Sequence, residues 1–182
     1  CPQIKNTYIT YGDVAFDTLL EELKPLVMEK TGLKLIEQYS FARLYKKGDE
    51  LKRHKDRYSC QISTTLNLGG DSWPIFIEPD PTKGIKDPSG YKSEFTKGMQ
   101  IDLEPGDMVA YVGTDLEHWR EPFEGEICGQ VFFHYNTVEQ ANENDNKYDA
   151  RPHLGLPDNF CKKRLYKYQD GEKVKTVDLY TK

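Results

Sequence analysis

Short runs of β-branched and aromatic residues, most of them followed by a glycine or proline turn, dominate this chain between residues 33 and 137. Runs of this length between turn residues are typical of all-β sandwiches and barrels rather than of helical bundles. The chain contains about eight such runs after one helical stretch. We therefore predict a mainly β fold with flanking helices: a double-stranded β-helix of the jelly-roll, or cupin-like, kind.

The strand predictions rest on residue type and on the turns between the runs. On an extended chain, Tyr39, Phe41, Arg43 and Tyr45 share one face, because alternate side chains point the same way. We read 79–98 as a surface excursion with a short strand at 91–95, and 163–180 as a hairpin turning at 170–171. The main predicted strands are 33–46, 59–68, 73–78, 99–103, 108–112, 117–122 and 127–136.

A helix is predicted over about 13–31, where apolar residues recur at helical spacing and Gly32 offers a stop. Pro25 lies inside this pattern, and we expect it to kink or split the helix. At 182 residues the chain is most simply one domain. We divide it into this N-terminal helix, a jelly-roll core over about 33–137 and a C-terminal extension over about 138–182.

Composition excludes several classes of protein. The formal net charge of −5 argues against a nucleic-acid-binding surface. The four cysteines form no CxxC pair, which favours reduced thiols over a disulfide framework or a zinc site. The sequence shows neither a long apolar run nor a signal-peptide pattern, so we expect a cytoplasmic protein without a membrane partner. The oligomeric state stays open.

One His-x-Asp pair, His54 and Asp56, follows the first long strand, and His118 lies 62 residues beyond Asp56. Two imidazoles and one carboxylate are the ligand set of non-haem Fe(II) oxygenases. This set suits them because it leaves coordination positions open on one side of the metal. A lone His-x-Asp pair is weak evidence, and a single histidine is usually structural, as we read His134 and His153. The prediction rests on the combination with the strand pattern.

These segments give the chain a family resemblance. Over residues 7–137 it resembles the Fe(II)- and 2-oxoglutarate-dependent oxygenases, and among them the prolyl 4-hydroxylase-like branch, particularly its bacterial and phage members. The resemblance implies a bacterial protein, or a virus-encoded one that acts in the host cytoplasm. The matching segments are RLY at 43–45, Gly48, HKDR at 54–57, SCQISTTLNL at 59–68, LEPGDMVAYVG at 103–113 and HWREP at 118–122.

The resemblance implies His54, Asp56 and His118 as catalytic iron ligands and Tyr45 as a hydrogen-bond donor to 2-oxoglutarate. Members of the family usually place a lysine or arginine about ten residues after the distal histidine, and this chain has none there. A buried dicarboxylate needs a cationic partner. We rank Arg43 above Arg120 for this role, with Gln130 as a neutral donor.

The implied reaction uses Fe(II), 2-oxoglutarate and O₂ to hydroxylate a C–H bond, with release of succinate and CO₂. The implied substrate is a prolyl residue in a peptide or protein. A small molecule or a nucleobase is the enzymatic alternative, although nucleobase demethylases typically have two arginines a short distance apart beyond the distal histidine, and here the next arginine after Arg120 is Arg151. A non-catalytic jelly-roll binding module is the third reading, and a cupin-type metalloprotein, which would need His-x-His and a glutamate, is the fourth.

Overall fold

A computed structural model describes residues 4, 6–84, 96–139 and 146–157 with their side chains, and the backbone of two further strands at 164–169 and 172–178. The elements are β1 (Ile9–Tyr11), α1 (Val14–Thr31), β2 (Leu35–Lys46), β3 (Leu51–His54), a 3-10 turn (Tyr58–Cys60), β4 (Ile62–Gly70), β5 (Ile75–Ile77), β6 (Met99–Ile101), β7 (Met108–Val112), β8 (His118–Arg120), β9 (Ile127–Thr137), a second 3-10 turn (Lys147–Ala150), β10 (Arg164–Gln169) and β11 (Glu172–Asp178).

Two antiparallel sheets form the body of the fold. The larger has five strands in the order β1-β2-β9-β4-β7, and the smaller has four in the order β3-β8-β5-β6. Strands that are distant in sequence are neighbours in both sheets, as the crossing connections of a jelly roll require. Side chains from both sheets line one cavity between them. The predicted double-stranded β-helix is therefore confirmed.

Helix α1 covers the face of the larger sheet that points away from the cavity. Leu20 and Val27 of the helix pack there with Ala42 of β2. The Asp13 side chain accepts a hydrogen bond from the Ala15 N–H at 2.9 Å and so caps the first turn. Among the described residues, no helix is long and apolar enough to span a membrane.

Helix α1 is continuous through Pro25, so the predicted split does not occur. Proline removes the hydrogen bond that its N–H would give to the carbonyl four residues earlier, here that of Glu21. Both residues lie on the exposed side of the helix. Water can therefore hydrogen-bond to the Glu21 carbonyl, and the helix runs on to Gly32, whose left-handed backbone (φ 72°) ends it.

The other differences are local. The run predicted as a strand from residue 59 begins with a 3-10 turn, and β4 starts only at Ile62. Strands β1 and β3 were not predicted. β10 and β11 pair antiparallel as the predicted hairpin, although residues 170–171 between them lie outside the described part. The predicted strand at 91–95 also lies outside it.

Part of the predicted C-terminal extension packs back onto the core. Within 146–157, Arg151 donates to the Asp17 carboxylate of α1 at 2.8 Å, and both side chains are buried. Asp149 accepts two hydrogen bonds from the Arg57 guanidinium, at 2.8 and 2.6 Å. The buried Arg151–Asp17 pair holds the segment against α1. The bidentate Arg57–Asp149 pair holds it against the loop that follows β3.

Candidate metal centre

The predicted ligands converge at one end of the smaller sheet. His54 ends β3 and His118 begins β8, and the two residues are register partners across the pair of strands. Asp56 lies in the loop after β3, where its N–H donates to the Gly113 carbonyl at 2.8 Å. The Nε2 atoms of both histidines lie 3.6 Å from Asp56 Oδ1. The ligand atoms of all three residues lie within 4.8 Å of one another.

Backbone carbonyls orient both imidazole rings. His54 Nδ1 lies 2.8 Å from the Lys52 carbonyl oxygen, and His118 Nδ1 lies 3.0 Å from that of Leu116. A carbonyl oxygen can only accept, so both Nδ1 atoms carry the proton. The lone pair of a neutral ring is then on Nε2, which faces the carboxylate. This is the tautomer in which a histidine binds a metal through Nε2.

The electrostatics of the centre favour a cation between these groups. Burial opposes the charged forms of Asp56 and His118, but their mutual attraction outweighs it. The pKa of Asp56 is accordingly held well below its usual range, and the pKa of His118 is raised. Burial and the neighbouring His118 lower the pKa of His54 to about 4, so this ring is neutral at pH 7.

The three donors fit a divalent metal ion. A lone pair of Nε2 facing a carboxylate oxygen is repulsive unless a proton or a metal cation lies between them. Two neutral imidazoles and one carboxylate suit Fe(II) in both donor type and charge, and three ligands leave coordination positions open. Within the described residues, the predicted ligand set is therefore assembled in a geometry that can hold the metal.

An ion pair clamps the two strands that carry the histidines. Arg53 precedes His54 and Glu117 precedes His118, and the Arg53 guanidinium donates to the fully buried Glu117 carboxylate at 3.0 Å. The same guanidinium lies 3.5 Å from the centre of the Trp119 ring. A charge-assisted bond and a cation–π contact at this position restrict how far the two ligand strands can separate.

A cavity of about 300 Å³ opens beside the metal centre. Its walls come from β2, β3, β7, β8 and β9 and from the loop after β3. Arg43 and Tyr45, two of the predicted 2-oxoglutarate contacts, lie in the wall formed by β2, and both are buried. Burial raises the pKa of Tyr45 to about 12, so its hydroxyl is protonated and can donate.

The two other predicted contacts, Arg120 and Gln130, lie outside the cavity wall. The Arg120 guanidinium donates to the Trp73 carbonyl and, at 3.3 Å, to Gln130 Oε1. It also lies 5.0 Å from the centre of the Trp73 ring. The structure thus brings Arg43 and Tyr45 to the cavity wall, whereas Arg120 is hydrogen-bonded to Trp73 and Gln130 and interacts electrostatically with Tyr45 and Tyr111 of that wall.

Sequence reasoning missed polar residues that lie beside Asp56. His134, read as structural, is part of the cavity wall, and its Nδ1 lies 3.0 Å from Ser63 Oγ. Ser63 Oγ in turn donates to Asp56 Oδ2 at 2.6 Å. Burial lowers the pKa of His134 to about 4, so the ring is neutral at pH 7. The inward position of His134 on its predicted strand was the only signal available.

No protein-family model and no curated protein sequence matches this chain. Among solved structures, HygX from Streptomyces hygroscopicus with iron bound has a TM-score of 0.54 at 13% identity, over 81% of this chain and 82% of HygX. HygX with nickel and 2-oxoglutarate bound also gives 0.54 at 13% identity, over 75% of this chain and 72% of that one.

Two further solved structures match this chain. A 2OG-Fe(II) oxygenase family oxidoreductase from Burkholderia pseudomallei has a TM-score of 0.53 at 12% identity, over 76% of this chain and 72% of that one. A Pseudomonas putida prolyl-4-hydroxylase has 0.48 at 18% identity, over 73% of each chain, which is too low to favour its branch. Identities in this range show a shared fold.

Proposed function

We propose that this chain is an Fe(II)- and 2-oxoglutarate-dependent dioxygenase that hydroxylates a C–H bond. One observation carries the proposal: two Nε2 atoms and one carboxylate oxygen converge within 4.8 Å at the wall of a cavity between two sheets. Iron with 2-oxoglutarate and O₂ would supply the oxidant for an unactivated C–H bond, with release of succinate and CO₂. HygX, which shares the fold, has been solved with iron and with 2-oxoglutarate.

In this proposal His54, Asp56 and His118 hold the metal, and β2 holds the co-substrate. A dicarboxylate in a buried cavity needs a cation at its far end. Arg43 is 3% exposed at the cavity wall and supplies a guanidinium that can bind a carboxylate with two hydrogen bonds. The Tyr45 hydroxyl, two residues away on the same face of the strand, is placed to donate a further one.

For the substrate we propose a prolyl residue in a peptide or protein. The sequence resemblance described above supports this class. So does the aromatic part of the cavity wall, formed by Tyr39, Phe41 and Phe132, because aromatic side chains give a pyrrolidine ring apolar surface to contact. A small-molecule or nucleobase substrate is the competing class, and a module that binds without turnover is the competing function.

Metal stoichiometry and product analysis test this function together. The purified protein should bind one equivalent of Fe(II) without O₂, and His54→Ala or Asp56→Ala should abolish binding at the same concentration. His153→Ala, at an exposed histidine outside the cavity wall, is the matched control and should bind normally. Succinate should then form with proline-containing peptides and not with methylated oligonucleotides. Normal binding in both ligand variants would refute the metal assignment.

A further inference from the structure

The two oxygens of the Asp56 carboxylate have different surroundings. Oδ1 lies 3.6 Å from the Nε2 atoms of both His54 and His118, on the side of the cavity. Oδ2 points the other way and accepts a hydrogen bond from Ser63 Oγ at 2.6 Å. The carboxylate is therefore held in one rotational state, with a single oxygen facing the other two ligands.

Ser63 has one hydroxyl proton and three polar neighbours. Its Oγ lies 2.6 Å from Asp56 Oδ2 and 3.1 Å from the Cys60 carbonyl oxygen. The proton goes to Asp56, because a bond to an ionised carboxylate is both shorter and stronger than one to a carbonyl. His134 Nδ1, 3.0 Å from the same Oγ, then donates to it. The result is a directed chain from His134 through Ser63 to Asp56.

The sheet brings these groups together. Ser63 on β4 and His134 on β9 are register partners, so both side chains point to the same face of the larger sheet. Both residues are buried. The Asp56 N–H donates to the Gly113 carbonyl, and the Gly113 N–H donates to the Gln61 carbonyl, each at 2.8 Å. The loop that carries Asp56 is thereby tied to the end of β7, on the other side of β4.

Gly113 borders the narrow space, here called the slot, in which Asp56 Oδ2 meets Ser63 Oγ and the Cys60 carbonyl oxygen. A Cβ atom at this position would lie 2.6 Å from Ser63 Oγ and from the Cys60 carbonyl oxygen, and closer still to Asp56 Oδ2. Real Cβ contacts essentially never fall below 3.0 Å. The Asp56–Ser63 hydrogen bond therefore occupies space that only a glycine leaves available.

We propose that Ser63 is a positioning residue for the metal centre: oriented by His134, it holds Asp56 Oδ2 so that Oδ1 alone is presented to the metal. This role rests on the metal centre proposed above. A carboxylate that rotates about its Cβ–Cγ bond offers both oxygens, whereas a held one offers a single ligand atom and leaves the remaining positions available. Residues that hydrogen-bond to a ligand in this way typically change metal affinity when they are removed.

The test measures Co²⁺ affinity in the full-length chain without O₂, together with thermal stability. Ser63→Ala should weaken Co²⁺ binding about 10- to 100-fold. Ser63→Thr keeps the hydroxyl but adds a methyl group to a fully buried position, so it should bind Co²⁺ more tightly than Ser63→Ala at some cost in melting temperature. Ser40→Ala is the matched control, because Ser40 Oγ also donates to a buried carboxylate, that of Asp17, at 2.6 Å, outside the cavity wall.

Each outcome supports or overturns the positioning role of Ser63. Ser40→Ala should lower the melting temperature as Ser63→Ala does but leave Co²⁺ affinity unchanged. Equal Co²⁺ affinity in Ser63→Ala and the wild type would overturn the positioning role while leaving the metal centre in place. If Ser63→Ala does not fold, His134→Phe replaces it, since it keeps a ring and removes the donor. An unchanged Co²⁺ affinity in His134→Phe would overturn the chain of hydrogen bonds from His134 through Ser63 to Asp56.

A second set of side chains could bind the metal in place of His54, Asp56 and His118. Asp56, Cys60 and His134 also offer ligand atoms within 4.8 Å of one another. A thiolate-to-cobalt absorption band that disappears in Cys60→Ser would show that the metal takes this set, and would overturn the proposal. A wild-type protein that binds no Co²⁺, or an Asp56→Ala variant that binds it normally, would refute the proposed function itself and the positioning role with it.

Discussion

Replacing Gly113 with alanine adds one methyl group at the most crowded point beside the metal centre. The new Cβ would lie 2.6 Å from Ser63 Oγ and the Cys60 carbonyl oxygen, so each contact must lengthen by at least 0.4 Å to reach 3.0 Å. The carbonyl belongs to the backbone and the serine is completely buried, so neither can move easily. Asp56 is the least buried of these neighbours, and we expect it to be displaced.

The magnitude follows from overpacking and from the loss of ligand geometry. A methyl group forced into a packed site costs about 1–3 kcal/mol of folding stability. Displacing the ligand carboxylate should weaken metal binding by about tenfold or more. Gly129→Ala is the matched control, because its Cβ would meet its nearest neighbours at 3.4 Å, an ordinary contact distance.

Urea unfolding and anaerobic Co²⁺ titration measure both effects. Gly113→Ala should unfold at lower urea concentration and bind Co²⁺ more weakly, whereas Gly129→Ala should keep the wild-type affinity. A Gly113→Ala protein that binds Co²⁺ as the wild type does would show that Asp56 tolerates the displacement. That result would refute the role of Gly113 and Ser63 in fixing the position of this ligand.

The remaining predictions concern the cavity wall and the C-terminal segment. Arg43→Ala should weaken 2-oxoglutarate binding at least about tenfold more than Arg120→Ala, on the scale of one charge-assisted bond pair, and calorimetric titration showing the reverse would transfer the role. Burial opposes the charged form of Asp149, but hydrogen bonds from Arg57 lower its pKa from 3.8 to about 2. A carboxylate whose pKa is lower in the folded state stabilises the fold at pH values above its unfolded-state pKa. This stabilisation is lost as the pH falls toward its folded-state pKa. Asp149→Asn should therefore cost about 1–2 kcal/mol at pH 7, since Arg57 is half exposed, and progressively less below about pH 4. A urea-unfolding difference that is independent of pH would contradict this.

Strands with strong turn signals were predictable from the sequence. β7 matches its prediction at both ends because a Pro-Gly-Asp turn precedes it at 105–107 and Gly113 follows it. β3 was not predicted, because its residues, LKRH, have little strand propensity. This strand exists through its pairing with β8, where Leu51 lies opposite Arg120 and His54 opposite His118. A tertiary contact of this kind leaves no local signal.

The site shows the same division. The convergence of His54, Asp56 and His118 could be predicted, because their residue types were supported by the strand pattern and by the family resemblance. The part played by Ser63 and His134 could not, because it depends on the register between β4 and β9. Strand position made both Arg43 and Arg120 candidates, and in the structure Arg43 lies in the cavity wall whereas Arg120 does not.

The most direct test of the proposed function is the visible absorption spectrum of the protein with Fe(II) and 2-oxoglutarate in the absence of O₂. A keto acid chelated to iron gives a weak charge-transfer band, and we expect this band in the wild type and its loss in His118→Ala. Iron binding without the band would show that the cavity does not place 2-oxoglutarate on the metal, which contradicts the role given to Arg43 and Tyr45. A protein that binds no iron would contradict the metal centre itself.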